Sequence, residues 1–295
     1  MHPPRRLLVP ATIALIACAV LGAGPARAEG RRYLDPIFTN IAITAGLVYG
    51  EAPNNRGEVQ QLLLDLYEPV GDADPARPVL IWAHGGGFHT GSRTEPRWID
   101  MATRFAQRGY VTASIDYRLR PPGTPNSPDL VHYVAEPIAG VSQLVDDARK
   151  DMQAAVRWFR RNAGALRIDP YKIVVAGGSS GAIMALETDF DAEDPGNSGN
   201  PEYPSTVAAA VALSGFAHLT AIEAGDGPIM LFHGMQDTTV PLPLALSTCA
   251  TTMFLGNACE TRLYRDEDHG LTDLDDITVR TADFLCRRVL GGCPA

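Results

Sequence analysis

One junction in this chain restricts its fold more than any other. Lys172-Ile173-Val174-Val175-Ala176 is a short apolar, β-branched run of the kind that forms a buried strand. It leads directly into Gly177-Gly178-Ser179-Ser180-Gly181, and the residues from Ser180 to Thr188 then favour a helix. A strand passing into a helix through so few residues must turn sharply. Side chains beside the turn would clash, which explains glycine at 177 and 181. The G-x-S-x-G spacing selects Ser179, rather than Ser180, as the residue at the apex. There its hydroxyl stands clear of a sheet and close to a helix N-terminus, whose dipole favours developing negative charge. Ser179 is therefore the candidate nucleophile.

A serine that attacks a carbonyl creates a negative oxygen, which preorganised donors must meet. Strand-like Val79–Ala83 ends in His84-Gly85-Gly86-Gly87-Phe88. Glycine lets backbone N–H groups approach a reacting atom, and a segment of this type accompanies the serine turn in one class of hydrolases. The backbone donors expected are Gly86, Gly87 and Ser180. His84 is expected to hold the loop.

A serine hydroxyl also needs a general base, and the base needs an orienting carboxylate. The histidines downstream are His218, His233 and His269. His269 follows the last expected strand, in Asp268-His269-Gly270, where a loop can deliver it to the strand ends. His233 closes a strand whose following loop presents Asp237. The reading is Asp237 as acid, His269 as base and His233 as structural, with Asp226, Asp266 and Asp268 as rival acids.

The rest of the pattern gives these residues a frame. Strands are expected at 41–49, 60–67, 79–83, 110–115, 172–176, 207–213, 229–233 and 261–264. Helices are expected at 98–108, 141–162, 180–188, 241–254 and 278–290. Strands alternating with helices after residue 79 imply an α/β fold, a three-layer α/β/α sandwich with a mostly parallel sheet. The first two strands, joined by a turn-rich connection, suit an antiparallel edge. Residues 120–140 and 189–205 lack a regular pattern and are candidates to roof the site. Trp98, Phe88 and Phe216 are candidates to line it, although core packing is the commoner role of such residues.

The N-terminus has its own character. Arg5 and Arg6 precede an apolar run from Leu7 to Gly24, and Ala26-Arg27-Ala28 supplies small residues before a cleavage point. Residues 1–28 read as a signal peptide, with 29–295 as a single catalytic domain, secreted or periplasmic. The alternative is a lipoprotein anchored at Cys18, within Leu15-Ile16-Ala17-Cys18; no stable membrane insertion is expected. Cleavage leaves Cys249, Cys259, Cys286 and Cys293, an even number suited to disulfides. Three connectivities are open, and the short loops 249–259 and 286–293 are the favoured pair. None of the cysteines has the spacing of a metal site. The net charge of −9 lacks the clustered basicity of a nucleic-acid binder.

From Leu64-Asp65-Leu66-Tyr67-Glu68-Pro69 through His84–Gly87, Asp116-Tyr117-Arg118-Leu119, Gly177–Gly181 and His233–Pro241 to Asp268-His269-Gly270, the chain resembles the HGGG-bearing carboxylesterases of the α/β-hydrolase superfamily. Within them it is similar to the compact branch related to feruloyl, acetyl-xylan and dienelactone hydrolase-type enzymes. The resemblance implies the α/β-hydrolase fold and a serine carboxylic-ester hydrolase acting through an acyl-enzyme. It implies a small-molecule or polymer-linked ester as substrate, no cofactor and no metal. Asp116-Tyr117-Arg118 is a scaffold element there. Two other readings share the fold: an exported serine peptidase of the prolyl-oligopeptidase type, and a non-catalytic binding protein. The peptidases usually carry a large extra domain, which this chain has no room for. The binding proteins typically lose Ser or His, and this chain has both.

Overall fold

The computed structural model describes residues 30–54, 56–119, 141–192 and 196–293. The expected signal segment 1–28, with Cys18, and the irregular stretch 120–140 lie outside them.

The chain opens with β1 (Ile41–Pro53) and β2 (Val59–Pro69), followed by β3 (Arg77–Ala83), α1 (Pro96–Ala106) and β4 (Val111–Ile115). Next come α2 (Val141–Arg161), the short α3 (Ala163–Leu166), β5 (Ile168–Gly178), α4 (Ser180–Phe190) and β6 (Ala209–Leu213). It closes with β7 (Ile229–Gly234), α5 (Leu242–Phe254), β8 (Cys259–Tyr264) and α6 (Leu274–Arg288). The strands form one sheet in the order β1-β2-β4-β3-β5-β6-β7-β8. Pairing is antiparallel between β1 and β2 and between β2 and β4, and parallel from β4 to β8. This is the expected α/β-hydrolase arrangement, with its antiparallel edge.

The apolar strands read as continuous runs because both faces of the sheet are covered. In β3, Val79, Ile81 and Ala83 join one core cluster, to which α2, α4 and α5 contribute. Leu80 and Trp82 point to the other, which is closed by α1 and α6. Trp82 packs there against Trp98 at 6.1 Å and Phe105 at 5.8 Å between ring centroids. The period-two alternation of a strand thus feeds two cores at once.

Boundaries shift where local chemistry overrides apolar spacing. Helix α6 starts four residues before the expected 278, because the Asp273 side chain caps it by accepting from the Asp276 N–H at 3.0 Å. Asp275 and Asp276 in its first turn and Arg287 and Arg288 in its last complement the helix dipole. Helix α1 starts two residues early, at Pro96, and ends at Ala106, two residues before the expected 108.

Residues 189–205 do not roof the site, so far as they are described. Asp189 and Phe190 complete α4. Further on, the Ser198 hydroxyl donates to Asp151 at 2.6 Å and its carbonyl accepts from the Glu51 N–H at 3.1 Å, docking the segment on α2 and β1. Disulfides join Cys249 to Cys259, tying α5 to β8, and Cys286 to Cys293, tying α6 to the segment after it. These are the two short loops favoured from spacing. Among the described residues, no helix is long and apolar enough to cross a membrane.

Candidate active site

Parallel strands bring several C-terminal ends to one edge of the sheet, the usual place for ligands in such folds. Here the ends of β3, β5, β6, β7 and β8 deliver the candidate residues to it. Ser179 links β5 to α4 with φ 54° and ψ −119°. That conformation costs a non-glycine residue on the order of 1–3 kcal/mol, and such strain persists only where surrounding structure enforces it. The enforcement is visible. The Ser179 N–H donates to the Leu213 carbonyl of β6 at 2.8 Å. A Cβ on Gly181 would lie 2.4 Å from the Ala83 carbonyl oxygen, and one on Gly177 would lie 2.4 Å from the Gly181 carbonyl carbon. No side chain fits at either position.

Ser179 Oγ stands 2.8 Å from His269 Nε2, and His269 Nδ1 stands 2.9 Å from Asp237 Oδ2. With Nδ1–H donating to the carboxylate, Nε2 is free to accept from the serine hydroxyl. Asp237 lies in the loop after β7 and is held from all sides. Its Oδ1 accepts from the N–H groups of Thr239 at 2.9 Å and Val240 at 2.8 Å. Its Oδ2 also faces His233 Nε2 at 3.2 Å. His233 Nε2 lies 2.8 Å from the Val240 carbonyl as well, so Nε2 carries the proton and donates to both. Burial lowers the His233 pKa, keeping the ring neutral beside the carboxylate. His233 thus supports Asp237 and does not touch Ser179.

The rival acids stand elsewhere. Asp268 is exposed; its Oδ1 accepts from the N–H groups of Thr238 and His269, each at 2.8 Å, and these bonds lower its pKa. It pins the His269 loop to the Asp237 loop. Asp226 accepts from the Glu223 N–H at 2.6 Å, in a different part of the surface.

Gly86 and Gly87 line the same pocket as Ser179 and His269, a cleft of about 460 Å³. Ser180 lies beneath it, buried, as the first residue of α4, where backbone N–H groups have no partner within the helix. Its hydroxyl is 3.0 Å from the Tyr117 hydroxyl, which also donates to the His84 carbonyl at 3.0 Å. His84 stacks on Tyr117 at 4.4 Å, and its Nδ1–H donates to the Gly85 carbonyl at 2.7 Å. The glycine loop and the serine turn are thereby fastened to one buried tyrosine. Its neighbours serve the scaffold too. Arg118 forms a buried ion pair with Asp151 at 2.8 Å, and Asp116 accepts from the Arg93 backbone N–H at 2.7 Å.

Of the aromatics considered from sequence, Trp98 lines the pocket, while Phe88 and Phe216 belong to the core. Glu95, Arg97, Thr239 and Leu271 complete the walls. Helical spacing alone gave no signal for Glu95 or Arg97, because neither belongs to an apolar stripe.

A serine hydroxyl, a base and an oriented carboxylate in hydrogen-bonded series, open to a cleft beside a glycine loop, form an arrangement suited to acyl transfer. Comparison with known proteins points the same way. The BD-FAE family model matches residues 64–224, more than half of the chain. The chain belongs to the BD-FAE family. Members of this family are esterases of the α/β-hydrolase superfamily. Among curated relatives, this BD-FAE chain is 32% identical over 121 residues to fumonisin B1 esterase of Sphingopyxis macrogoltabida, covering 41% of this chain and 21% of that protein. It is 37% identical over 128 residues to phenmedipham hydrolase of Pseudarthrobacter oxydans, covering 42% and 22%. The match thus spans only about a fifth of the length of those two relatives. Among solved structures, Thermogutta terrifontis esterase 2 phosphorylated by paraoxon superposes with a TM-score of 0.66 at 25% identity, covering 86% of this chain and 96% of that one.

Proposed function

We propose that the protein is an exported serine carboxylic-ester hydrolase that works through an acyl-enzyme on Ser179. The observation that carries this reading is the unbroken path from Ser179 Oγ through His269 to Asp237, with 2.8 Å and 2.9 Å links, opening into the cleft. His269 Nε2 takes the serine proton as Oγ attacks the ester carbonyl. Asp237 holds the ring in the accepting tautomer and stabilises the imidazolium. The N–H groups of Gly86, Gly87 and Ser180 receive the developing oxyanion, and each such donor is typically worth about 10²–10³ in rate. His269 returns the proton to the leaving alcohol, and water repeats the sequence on the acyl-serine. The T. terrifontis esterase is phosphorylated by paraoxon, in keeping with a covalently reactive nucleophile in this fold. Residues 29–295 form the catalytic unit in this reading, and residues 1–28 direct export, in keeping with two disulfides.

The test is hydrolysis of p-nitrophenyl acetate, butyrate and octanoate by residues 29–295, beside Ser179→Ala. Turnover by the parent and a loss of at least about 10³-fold in the variant are expected. Inertness on esters with fluorophosphonate labelling of Ser179 intact would favour a peptidase. A folded protein that neither turns over esters nor takes the label would be a binding scaffold, and the proposal would fall.

A further inference from the structure

The cleft contains a cation that the hydrolytic chemistry does not use. Arg97 lines it together with Ser179 and His269. Its Nη2 donates to the backbone carbonyl of Leu271, while its Nε is buried with no hydrogen-bond partner. Among the described residues, no carboxylate forms an ion pair with it. Burial lowers its pKa, and Glu267 offsets this only at a distance, because the Glu267 oxygens accept from the N–H and hydroxyl of Thr272. Glu95, the acid nearest in sequence, is also engaged: it accepts from the Ser92 N–H and from the Trp98 indole N–H, each at 3.2 Å.

Two physical costs fall on this arginine. A partly desolvated guanidinium without a counter-ion is expensive. Arg97 also occupies the first turn of α1, where the helix dipole disfavours a cation. Several other arginines drawn into the fold are compensated. Arg118 pairs with Asp151, Arg77 with Glu68 and Arg93 with Asp65. Arg160, without a carboxylate, is held by the carbonyls of Pro170, Pro204 and Thr206. Arg97 has one carbonyl and an open cleft.

The geometry points to Arg97 as a specificity residue that receives a carboxylate of the substrate, making the preferred substrate an ester with a free acid a few bonds from the scissile carbonyl. A guanidinium meets a carboxylate through two parallel N–H bonds, and here the end-on pair, Nη1–H and the second N–H of Nη2, is left to form them, since Nε is buried. The stack of Arg97 over the Trp98 ring, 5.9 Å from its centroid, helps to fix the plane of the fork. The inference rests on the ester-hydrolase reading. The acid can belong to the acyl part, as in a dicarboxylic half-ester, or to the alcohol part.

Two matched pairs of substrates separate these sources. The acyl arm compares the 4-methylumbelliferyl half-ester of glutaric acid with 4-methylumbelliferyl pentanoate. The alcohol arm compares 3-carboxyphenyl butanoate with phenyl butanoate. Hydrogen bonds to a charged group predict a preference of about tenfold or more in kcat/KM for the acid ester in one arm. The preference should shrink in 0.5 M salt, fall to about unity in Arg97→Gln and be partly restored in Arg97→Lys. A wild-type enzyme that hydrolyses the neutral esters with no preference in either arm overturns the inference while leaving the ester-hydrolase reading intact. A preference that survives Arg97→Gln also overturns it. Failure on all four esters, with no label on Ser179, removes the underlying reading instead.

Discussion

Asp237 uses both oxygens for separate tasks, so a neutral isostere cannot serve in its place. Its Oδ1 faces two backbone donors and its Oδ2 faces His269. In Asp237→Asn the amide oxygen must stay with Thr239 and Val240, which turns the NH₂ toward His269. The imidazole must then accept at Nδ1 and carry its proton on Nε2, where it can no longer take one from Ser179. The expected result is a fall in kcat of about 10³–10⁴ with KM within a few-fold, together with a lower Tm, because the same NH₂ also meets the His233 Nε2–H. Ser214 is a subtler case. It stands at φ 54°, and its hydroxyl donates to the His269 carbonyl at 2.8 Å, while the preceding Leu213 holds the Ser179 N–H. Two adjacent residues thus set the His269 loop against the Ser179 turn. Ser214→Ala removes a bond worth about 1 kcal/mol and should lower kcat several-fold with little change in KM. A drop in Tm without a change in kcat would assign Ser214 to stability alone. Ser179, Asp237 and His269 were legible in sequence as candidates because each lies in a loop directly after a strand and their chain order is informative; their hydrogen-bonded series is a matter of structure. Ser214 was not legible. Its partner is a backbone carbonyl 55 residues away, and no local pattern marks such a contact.

At the scale of elements, strands and helices were readable wherever burial dictated composition. The runs at β3, β5 and β7 are apolar because helices cover both sides, and α2 shows its stripe. Apolar spacing could not report where caps begin a helix, as at Asp273, or that β5 starts at Ile168, where it pairs with Arg77 across a register irregularity. The irregular stretch near 189–205 was legible as a loop but not as to its destination, which long-range contacts with Asp151 and Glu51 decide. The pairing of Cys249 with Cys259 has a consequence that can be measured at this scale. It joins α5 to the edge strand β8 across a separation of 10 residues. Loop-closure entropy for so short a loop corresponds to about 2–3 kcal/mol. The Cys249→Ala/Cys259→Ala pair should therefore melt roughly 5–10 °C lower, since each kcal/mol shifts Tm by about 2–4 °C in a chain of this size. Ester turnover at 25 °C should persist, because neither cysteine touches the cleft. An unchanged Tm would mean that the edge is held by packing alone.

For the whole molecule, buried ionisable groups set opposite slopes of stability against pH. His84 and His233 are fully buried, and burial lowers both pKa values. In the unfolded chain they take up protons near pH 6.5, which the native state resists, so stability should fall as pH drops through that value. Asp189 acts in the other direction. It lies at the end of α4, buried, with Oδ2 unpartnered, and its pKa is raised well above the usual carboxylate range by burial and then by the charge of Asp226. A group whose folded pKa is raised stabilises fully below its unfolded pKa, about 4, and this contribution is lost as pH rises through the folded value. At neutral pH the side chain is costly in either form, because it must hold a proton or bury a charge. Asp189→Asn keeps an acceptor for the Gly227 N–H and replaces the unpartnered oxygen with a neutral group. The variant should gain about 1–3 kcal/mol over wild type at pH 8 and little at pH 4. Melting curves of both proteins across that range check the sign, since Tm differences should open as pH rises. A difference independent of pH would show that Asp189 does not titrate between these limits. Equal melting at pH 8 would mean that Asp226 moves away and the surrounding backbone relaxes to solvate the charge, and that this end of α4 is less closed than its burial implies.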